Sequence, residues 1–288
     1  MPLHDAAWHD AQYDNRARVP DALAHLGRWA EASALARQGL TVLQDQPYGH
    51  GAAETLDVFP ARAPGAPVLV FIHGGYWRAL NKADHSFIAP AFVQAGAAVV
   101  VPDYALCPAV SIEHIALQMA QAVAWVWRHA EGFGGDPSRI VVAGHSAGGH
   151  LAAMMASCRW PDVGADLPRK LLRGAVSLSG LFDLEPIRQT PFLQRDLRLT
   201  PASVRRLSPA FFPRPQQGGP LLALVGGDES EEFLRQNQLI RDQWGPSAVP
   251  VCQAVPGCNH FSILRDFVDP DGAAHGHTLG LLGLRHAG

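Results

Sequence analysis

Between Arg139 and Met155 the chain reads RIVVAGHSAGGHLAAMM. The apolar run Ile140, Val141, Val142 reads as a strand. A few residues later Leu151, Ala152, Ala153, Met154 and Met155 read as a helix. A chain that turns directly from strand to helix on a serine crowds the positions two before and two after it. Glycine stands at both, as Gly144 and Gly148. This G-x-S-x-G pattern lifts a serine hydroxyl above the carboxyl end of a strand, where open parallel sheets bind ligands. The helix that follows aims its N-terminal N–H groups and the positive end of its dipole at the same place. Glycines also make ordinary turns. Their position between a buried strand and an Ala-rich helix selects the nucleophile elbow, with Ser146 as nucleophile.

The other segments agree with a sheet around this elbow. An amphipathic helix is predicted near 20–38, with Leu23, Leu26, Ala30 and Ala34 at helical spacing. ETLDVFP (54–60) alternates like a half-buried strand. VLVFI (68–72) and AAVVV (97–101) are continuous apolar runs, as strands covered on both faces would be. Helices are expected near 83–95, 111–130 and 230–244, and further strands at 139–143, 171–180, 220–227 and 249–255. Strands alternating with helices imply an α/β fold with a mainly parallel central sheet flanked by helices. The 181–219 stretch is Pro-rich, with short helices at most. It and the N-terminal helix are the candidates to cap a site. No repeat or linker divides the chain, so residues 1–288 read as a single domain.

Charge and composition exclude several function classes. The net charge is −3 and no Lys/Arg block stands out, so nucleic acid and membrane surfaces are not expected partners. No apolar run has the length of a membrane span, and the polar N-terminus lacks the basic and apolar regions of a signal peptide. Cys107, Cys158, Cys252 and Cys258 make no CxxC pair, the usage of a reduced cytoplasmic protein. A Cys252–Cys258 bridge stays open at this point. The 14 His residues form no HExxH spacing, so neither a metal nor a cofactor is expected. His275, His277 and His286 read as a solvated tail.

A serine hydroxyl needs a base. In a fold of this kind the partners follow the serine in the order acid, then histidine. His260, in VPGCNHFSI, follows the last strand and is the histidine that a strand-end loop would carry over Ser146. His145 is too close in sequence to turn back onto its neighbour, and His150, a turn down the helix, reads as a packing residue. Acyl chemistry also needs oxyanion donors. The Ala147 N–H is one. FIHGGYW (71–77) supplies the others in Gly74 and Gly75, since His73-Gly74-Gly75 opens like the HGGG motif of esterases. Tyr76, Trp77, Tyr104 and Phe182 fall on predicted strand-end loops and are candidates to line an aromatic-accepting pocket, though each is equally readable as packing.

HGGYW, GHSAGGH and the GCNHF histidine together resemble the α/β-hydrolase fold, in its hormone-sensitive-lipase-like esterase branch. The chain is most similar to arylformamidases (kynurenine formamidases) and their bacterial esterase relatives, with ESEEFLRQN (229–237) and YDNRARVPD (13–21) adding to the likeness. The resemblance implies a serine hydrolase with Ser146 as nucleophile, His260 as base and Gly74, Gly75 and Ala147 as oxyanion donors. For the acid the sequence offers neighbours, Asp228 and Glu229. Aspartate is the commoner residue type in such triads. Esterases of this branch often read G-x-x-acid after the strand, and counting from Gly226 gives Glu229. The ESxEFxRQ likeness also aligns Glu229 with the family acid. Glu229 is therefore expected on His260, and Asp228 is expected to face the loop and cap the next helix. The expected substrate is a small carboxylic ester with a short acyl and an aryl leaving group. The alternatives are an arylformamidase acting on N-formyl-L-kynurenine and, from another class, a catalytically silent hydrolase-fold binding protein. The sequence leaves monomer and homodimer open.

Overall fold

The computed structural model describes residues 5–215 and 218–284; His286 lies outside the described residues. Among the described residues, eight strands form one sheet: β1 (Leu43–Pro47), β2 (Thr55–Phe59), β3 (Ala66–Ile72), β4 (Ala98–Pro102), β5 (Gly135–His145), β6 (Leu172–Leu178), β7 (Leu221–Gly226) and β8 (Val251–Val255). The strand order is β1-β2-β4-β3-β5-β6-β7-β8. β1 and β2 pair antiparallel, as do β2 and β4. The pairings from β4 through β3, β5, β6 and β7 to β8 are all parallel.

The continuous apolar runs are explained by burial on both faces. On β3, Val68, Val70 and Ile72 join one hydrophobic cluster, whereas Leu69 and Phe71 join another on the opposite face. On β5, Ile140 and Val142 go with the first and Val141 and Ala143 with the second. Side chains alternate across a strand, so a strand covered on both faces must be apolar at every position. The first cluster takes in the helices Ile112–His129 and Ala147–Ala156; the second takes in Trp29, Phe92, Phe267 and Leu279. A third, smaller cluster packs Phe182, Ile240 and Trp244 against Ala223 of β7.

Several segments depart from the sequence expectation. The helix expected at 83–95 is two 3₁₀ turns, Lys82–Asp84 and Ser86–Ile88, followed by a helix over Ala89–Gln94. Pro90 sits in the first turn of that helix, where its missing N–H costs nothing. The N-terminal helix covers Ala22–Gly39. It is preceded by two unanticipated helices, Ala6–Tyr13 and Asn15–Arg18. Strand β1, sequence LQDQP, is a polar and largely exposed edge with no apolar pattern to reveal it. The supposed solvated tail is a helix, Ala273–Leu282, in which His275 is buried with Nδ1 3.1 Å from the Phe267 carbonyl oxygen. All four cysteines are free, so Cys252 and Cys258 are not bridged. The Pro-rich 181–219 stretch carries three short helices, Glu185–Arg188, Pro191–Leu197 and Pro201–Leu207. Among the described residues, no helix is long and apolar enough to cross a membrane.

Candidate active site

Ser146 stands between the end of β5 and the helix Ala147–Ala156, with φ 57° and ψ −118°. A non-glycine residue at such a φ is strained and persists only where its surroundings over-determine it. Here they do. A Cβ on Gly144 would lie 2.1 Å from the Gly148 carbonyl oxygen, and one on Gly148 would lie 2.0 Å from the Ile72 carbonyl oxygen. Neither position tolerates a side chain, so the elbow closes only with glycine at both. The Ser146 N–H donates to the Leu178 carbonyl of β6 at 2.8 Å. Ala147 opens the helix, and the N–H groups of a first helical turn have no intrahelical acceptor.

Beside the elbow, Gly74 abuts the serine: a Cβ there would meet the His145 carbonyl oxygen at 2.9 Å and the Ser146 Cβ at 3.2 Å. The orientation of the next peptide is set from below. The Gly74 carbonyl accepts from His73 Nδ1–H at 2.9 Å, and the Tyr104 hydroxyl, which donates to the His73 carbonyl at 2.9 Å, lies 3.3 Å from it. In a trans peptide the N–H points opposite to the C=O, so the Gly75 N–H is turned to the side away from Tyr104. Gly75 has φ +102° and also lacks room for a Cβ, which would meet the Ala79 carbonyl oxygen at 2.1 Å. Tyr76 and Trp77 follow in the left-handed region at φ 50° and 55°.

His260 lies just beyond β8, and its Nδ1 is 2.6 Å from Glu229 Oε2. The other carboxylate oxygen of Glu229 accepts from the Gly226 N–H at 2.8 Å and from the Ser179 hydroxyl. Both side chains of the pair are almost fully buried. Asp228 is exposed, and it is Glu229 that reaches the histidine. It does not cap the following helix. That role falls to Ser230, whose Oγ accepts from the Phe233 N–H at 3.4 Å, because Ser230 is the residue directly before the helix Glu231–Trp244. The backbone carbonyl of His260 is held by His145, whose Nε2–H donates to it at 2.7 Å. Burial, and the neighbouring His260, hold the His145 pKa well below the ordinary histidine value, so this ring is neutral. His150 packs as the sequence indicated: Nε2 donates to the Leu207 carbonyl at 2.7 Å, and burial lowers its pKa to about 4.

Ser146, His260, His145 and Gly75 open on one cavity of about 750 Å³, within the range of small-molecule sites. Of the four aromatic candidates, Tyr76 alone lines it. Trp77, Tyr104 and Phe182 do not, which corrects the pocket expected from the sequence. Trp77 is fully buried with its ring edge-on to His150. Tyr104 stacks on His73 at 4.1 Å beneath the loop. Phe182 belongs to the third core cluster. Strand-end loops put these rings near the site, but their apolar faces gain more from packing inward than from facing the cavity.

Much of the rest of the lining was not legible in the sequence. Tyr13, Asp14 and Asn15 contribute to it from the N-terminal segment and Trp29 from the helix Ala22–Gly39, together with Arg78 and Phe192. The Arg78 guanidinium sits 5.5 Å over the Phe192 ring and pairs with Asp196, whose carboxyl it holds below the usual range. The nominated cap elements, the N-terminal helix and the 181–219 stretch, thus both reach the cavity through Trp29 and Phe192. Among the described residues, no group of three or more His, Cys, Asp or Glu could hold a metal ion.

A family model described as the alpha/beta hydrolase fold matches residues 69–236. The chain belongs to the α/β-hydrolase fold family. Within this family it is similar to the kynurenine formamidase of Danio rerio, at 31% identity over 253 residues, covering 85% of this chain and 84% of the relative. It is also similar to Esterase LipQ of Mycobacterium tuberculosis, at 30% identity over 63% of this chain and 45% of that protein. A solved structure from a Silicibacter species, which carries a provisional thioesterase name, superimposes with a TM-score of 0.82 at 29% identity, covering 92% of this chain and 96% of its own. This α/β hydrolase is an esterase-like enzyme, in keeping with the sequence reading.

Proposed function

We propose that this α/β hydrolase is a serine hydrolase transferring a small acyl group, formyl or acetyl, from an aromatic leaving group to water. Ser146 is the nucleophile, His260 the general base and acid, and Glu229 the partner that orients His260. The N–H groups of Gly74, Gly75 and Ala147 receive the oxyanion. The observation that carries this reading is the buried Glu229–His260 pair at 2.6 Å, whose histidine opens on the same cavity as the strained elbow serine.

With Nδ1 engaged by the carboxylate, His260 has Nε2 left to take the Ser146 proton as Oγ attacks the carbonyl carbon. The tetrahedral oxyanion forms against the backbone donors, whose directions are set before the substrate arrives. The protonated His260 gives its proton to the leaving oxygen or nitrogen. Water then repeats the sequence on the acyl-serine and releases the acid. Tyr76 stands where many esterases have a third small residue, which narrows the acyl side. The cavity volume leaves room for an aromatic leaving group.

An ester and a formamide pass through the same tetrahedral chemistry. The formamide reading is favoured by the two relatives named kynurenine formamidase that share most of their length with this chain, 84% and 89%. N-formyl-L-kynurenine is the substrate to try. Its kcat/KM measured beside that of p-nitrophenyl acetate separates the two readings: the formamide faster by tenfold or more assigns an arylformamidase, the ester faster assigns a short-acyl carboxylesterase. Four free thiols fit a reducing cytoplasmic setting for either.

A further inference from the structure

The loop that carries Gly74 and Gly75 runs on through two successive non-glycine residues in the left-handed region, Tyr76 and Trp77. L-residues adopt this conformation at a cost, so something outside the loop has to hold it there. On one side the anchor is internal to the core. The Trp77 ring is fully buried, and the Trp77 carbonyl accepts from the Cys107 N–H at 2.8 Å. On the other side the anchor is the N-terminal segment. The Tyr76 hydroxyl donates to the Tyr13 carbonyl oxygen at 2.7 Å and accepts from Asn15 Nδ2 at 3.2 Å. Burial holds the Tyr76 pKa well above its ordinary value, so the hydroxyl keeps its proton and stays a donor.

The N-terminal segment is in turn fastened to the helix just beyond Glu229. The Tyr13 hydroxyl donates to Glu232 Oε2 at 2.6 Å and its ring meets Phe233 edge-on at 5.7 Å. Gln12 Oε1 accepts from the Glu232 N–H at 3.3 Å. Phe233 also lies against the His260 ring, with centroids 4.6 Å apart. A continuous path of contacts therefore runs from the oxyanion loop through Tyr76, Asn15 and Tyr13 to the elements that hold the acid and the base.

We propose that Tyr76 and Asn15 are positioning residues for the oxyanion loop: the hydroxyl of Tyr76, clasped between the Tyr13 carbonyl and the Asn15 side-chain amide, holds the Gly74–Gly75 peptides in the orientation that receives the oxyanion. The inference rests on the assignment of those glycines as oxyanion donors. Neither residue touches the reacting atoms. Their contribution is realised in the transition state, because loosening the loop misaims donors that matter only once negative charge has formed.

The test uses the full-length protein with p-nitrophenyl acetate and four chains: wild type, Tyr76→Phe, Asn15→Leu and the double variant. Tyr76→Phe keeps the ring and removes only the hydroxyl. Its kcat is expected to fall roughly tenfold, the scale of one hydrogen bond to a fixed partner, with KM changed less than about twofold. Asn15→Leu should lower kcat in the same direction, and the double variant should be no slower than the slower single variant, since both act on one clasp. An aryl trifluoromethyl ketone, which forms a tetrahedral adduct with a nucleophilic serine, should lose affinity in proportion to kcat/KM. Melting temperatures recorded alongside separate this from loss of fold. A kcat for Tyr76→Phe within twofold of wild type overturns the proposal, as does a double variant whose losses multiply. Ser146→Ala, run in parallel, keeps the two assignments distinguishable: retained turnover there defeats the serine mechanism itself, whereas its loss beside an unaffected Tyr76→Phe defeats the clasp alone.

Discussion

Two carboxylates adjacent in the chain, Asp228 and Glu229, meet different fates because a tight turn after β7 sends their side chains in different directions. Glu229 is buried, accepts from Gly226 N–H and from Ser179, and reaches His260; Asp228 faces solvent. Removing the charge from the first leaves the His260 ring without its orienting partner, and removing it from the second changes a solvated group. Glu229→Gln is expected to lower kcat/KM by about 10² or more, against less than threefold for Asp228→Asn. Equal losses in both variants would count against Glu229 as the triad acid. For the nucleophile, Ser146→Ala is expected to cost about 10³ or more in turnover, leaving the residual catalysis that an oxyanion hole alone provides. The melting temperature should stay near that of wild type, because one small hydroxyl is lost from a site closed by glycines. Labelling by a fluorophosphonate should disappear with it, and a variant that still labels would refute Ser146 as nucleophile.

At the scale of elements, the site is made by four strand ends and one strap. β3 delivers the HGGYW loop, β5 the turn that carries Ser146, β7 leads to Glu229 and β8 to His260, all parallel neighbours through β6. These were readable, because buried strands show as unbroken apolar runs and the motifs sit at their ends. The strap, residues 6–18, was not. Its helices of eight and four residues carry little apolar pattern, and its value lies in contacts with residues some two hundred positions away, such as Tyr13 with Glu232. Burial of three of the four aromatic candidates has the same origin: a strand-end position says which end of the sheet a ring is near, not which way it turns. The one that does line the cavity, Tyr76, bears on substrate size. Across a p-nitrophenyl ester series from acetate to octanoate, kcat/KM is expected to be highest at two carbons and to fall with length. A maximum at eight carbons would show that the acyl side is not narrowed by this loop.

At the scale of the whole molecule, the buried histidines make stability depend on pH. Burial lowers the His85 pKa to about 3 and that of His150 to about 4, and places His145 well below its usual value. In the unfolded chain each returns to about 6.5. The unfolded state therefore binds protons that the folded state refuses as pH drops through 6.5, and stability falls with pH from there down to the folded values. At pH 5 the loss relative to pH 8 is about 2 kcal/mol for each of His85 and His150, and His145 acts in the same direction. Thermal unfolding followed between pH 8 and pH 4.5 should show a steady decline of Tm below about 6.5. A flat profile across that range would mean that these rings are protonated in the folded state.

The division between sequence and structure follows from the range of the interactions involved. The elbow, the alternation of strands and helices, the paired glycines after β3 and the histidine after the last strand are local or periodic features. They follow from backbone sterics and from burial on both faces of a sheet, and each is written within a few consecutive residues. Which rings line the cavity and which segment closes it depend on packing between residues far apart in the chain. Tyr76 against Trp77, and Asn15 against any other polar residue of the N-terminal segment, are choices between near neighbours of similar chemistry, whereas Glu229 over Asp228 was already indicated by the family likeness and the contact with His260 agrees with it. Those choices were decided by side-chain direction, which the tertiary contacts of the folded chain impose.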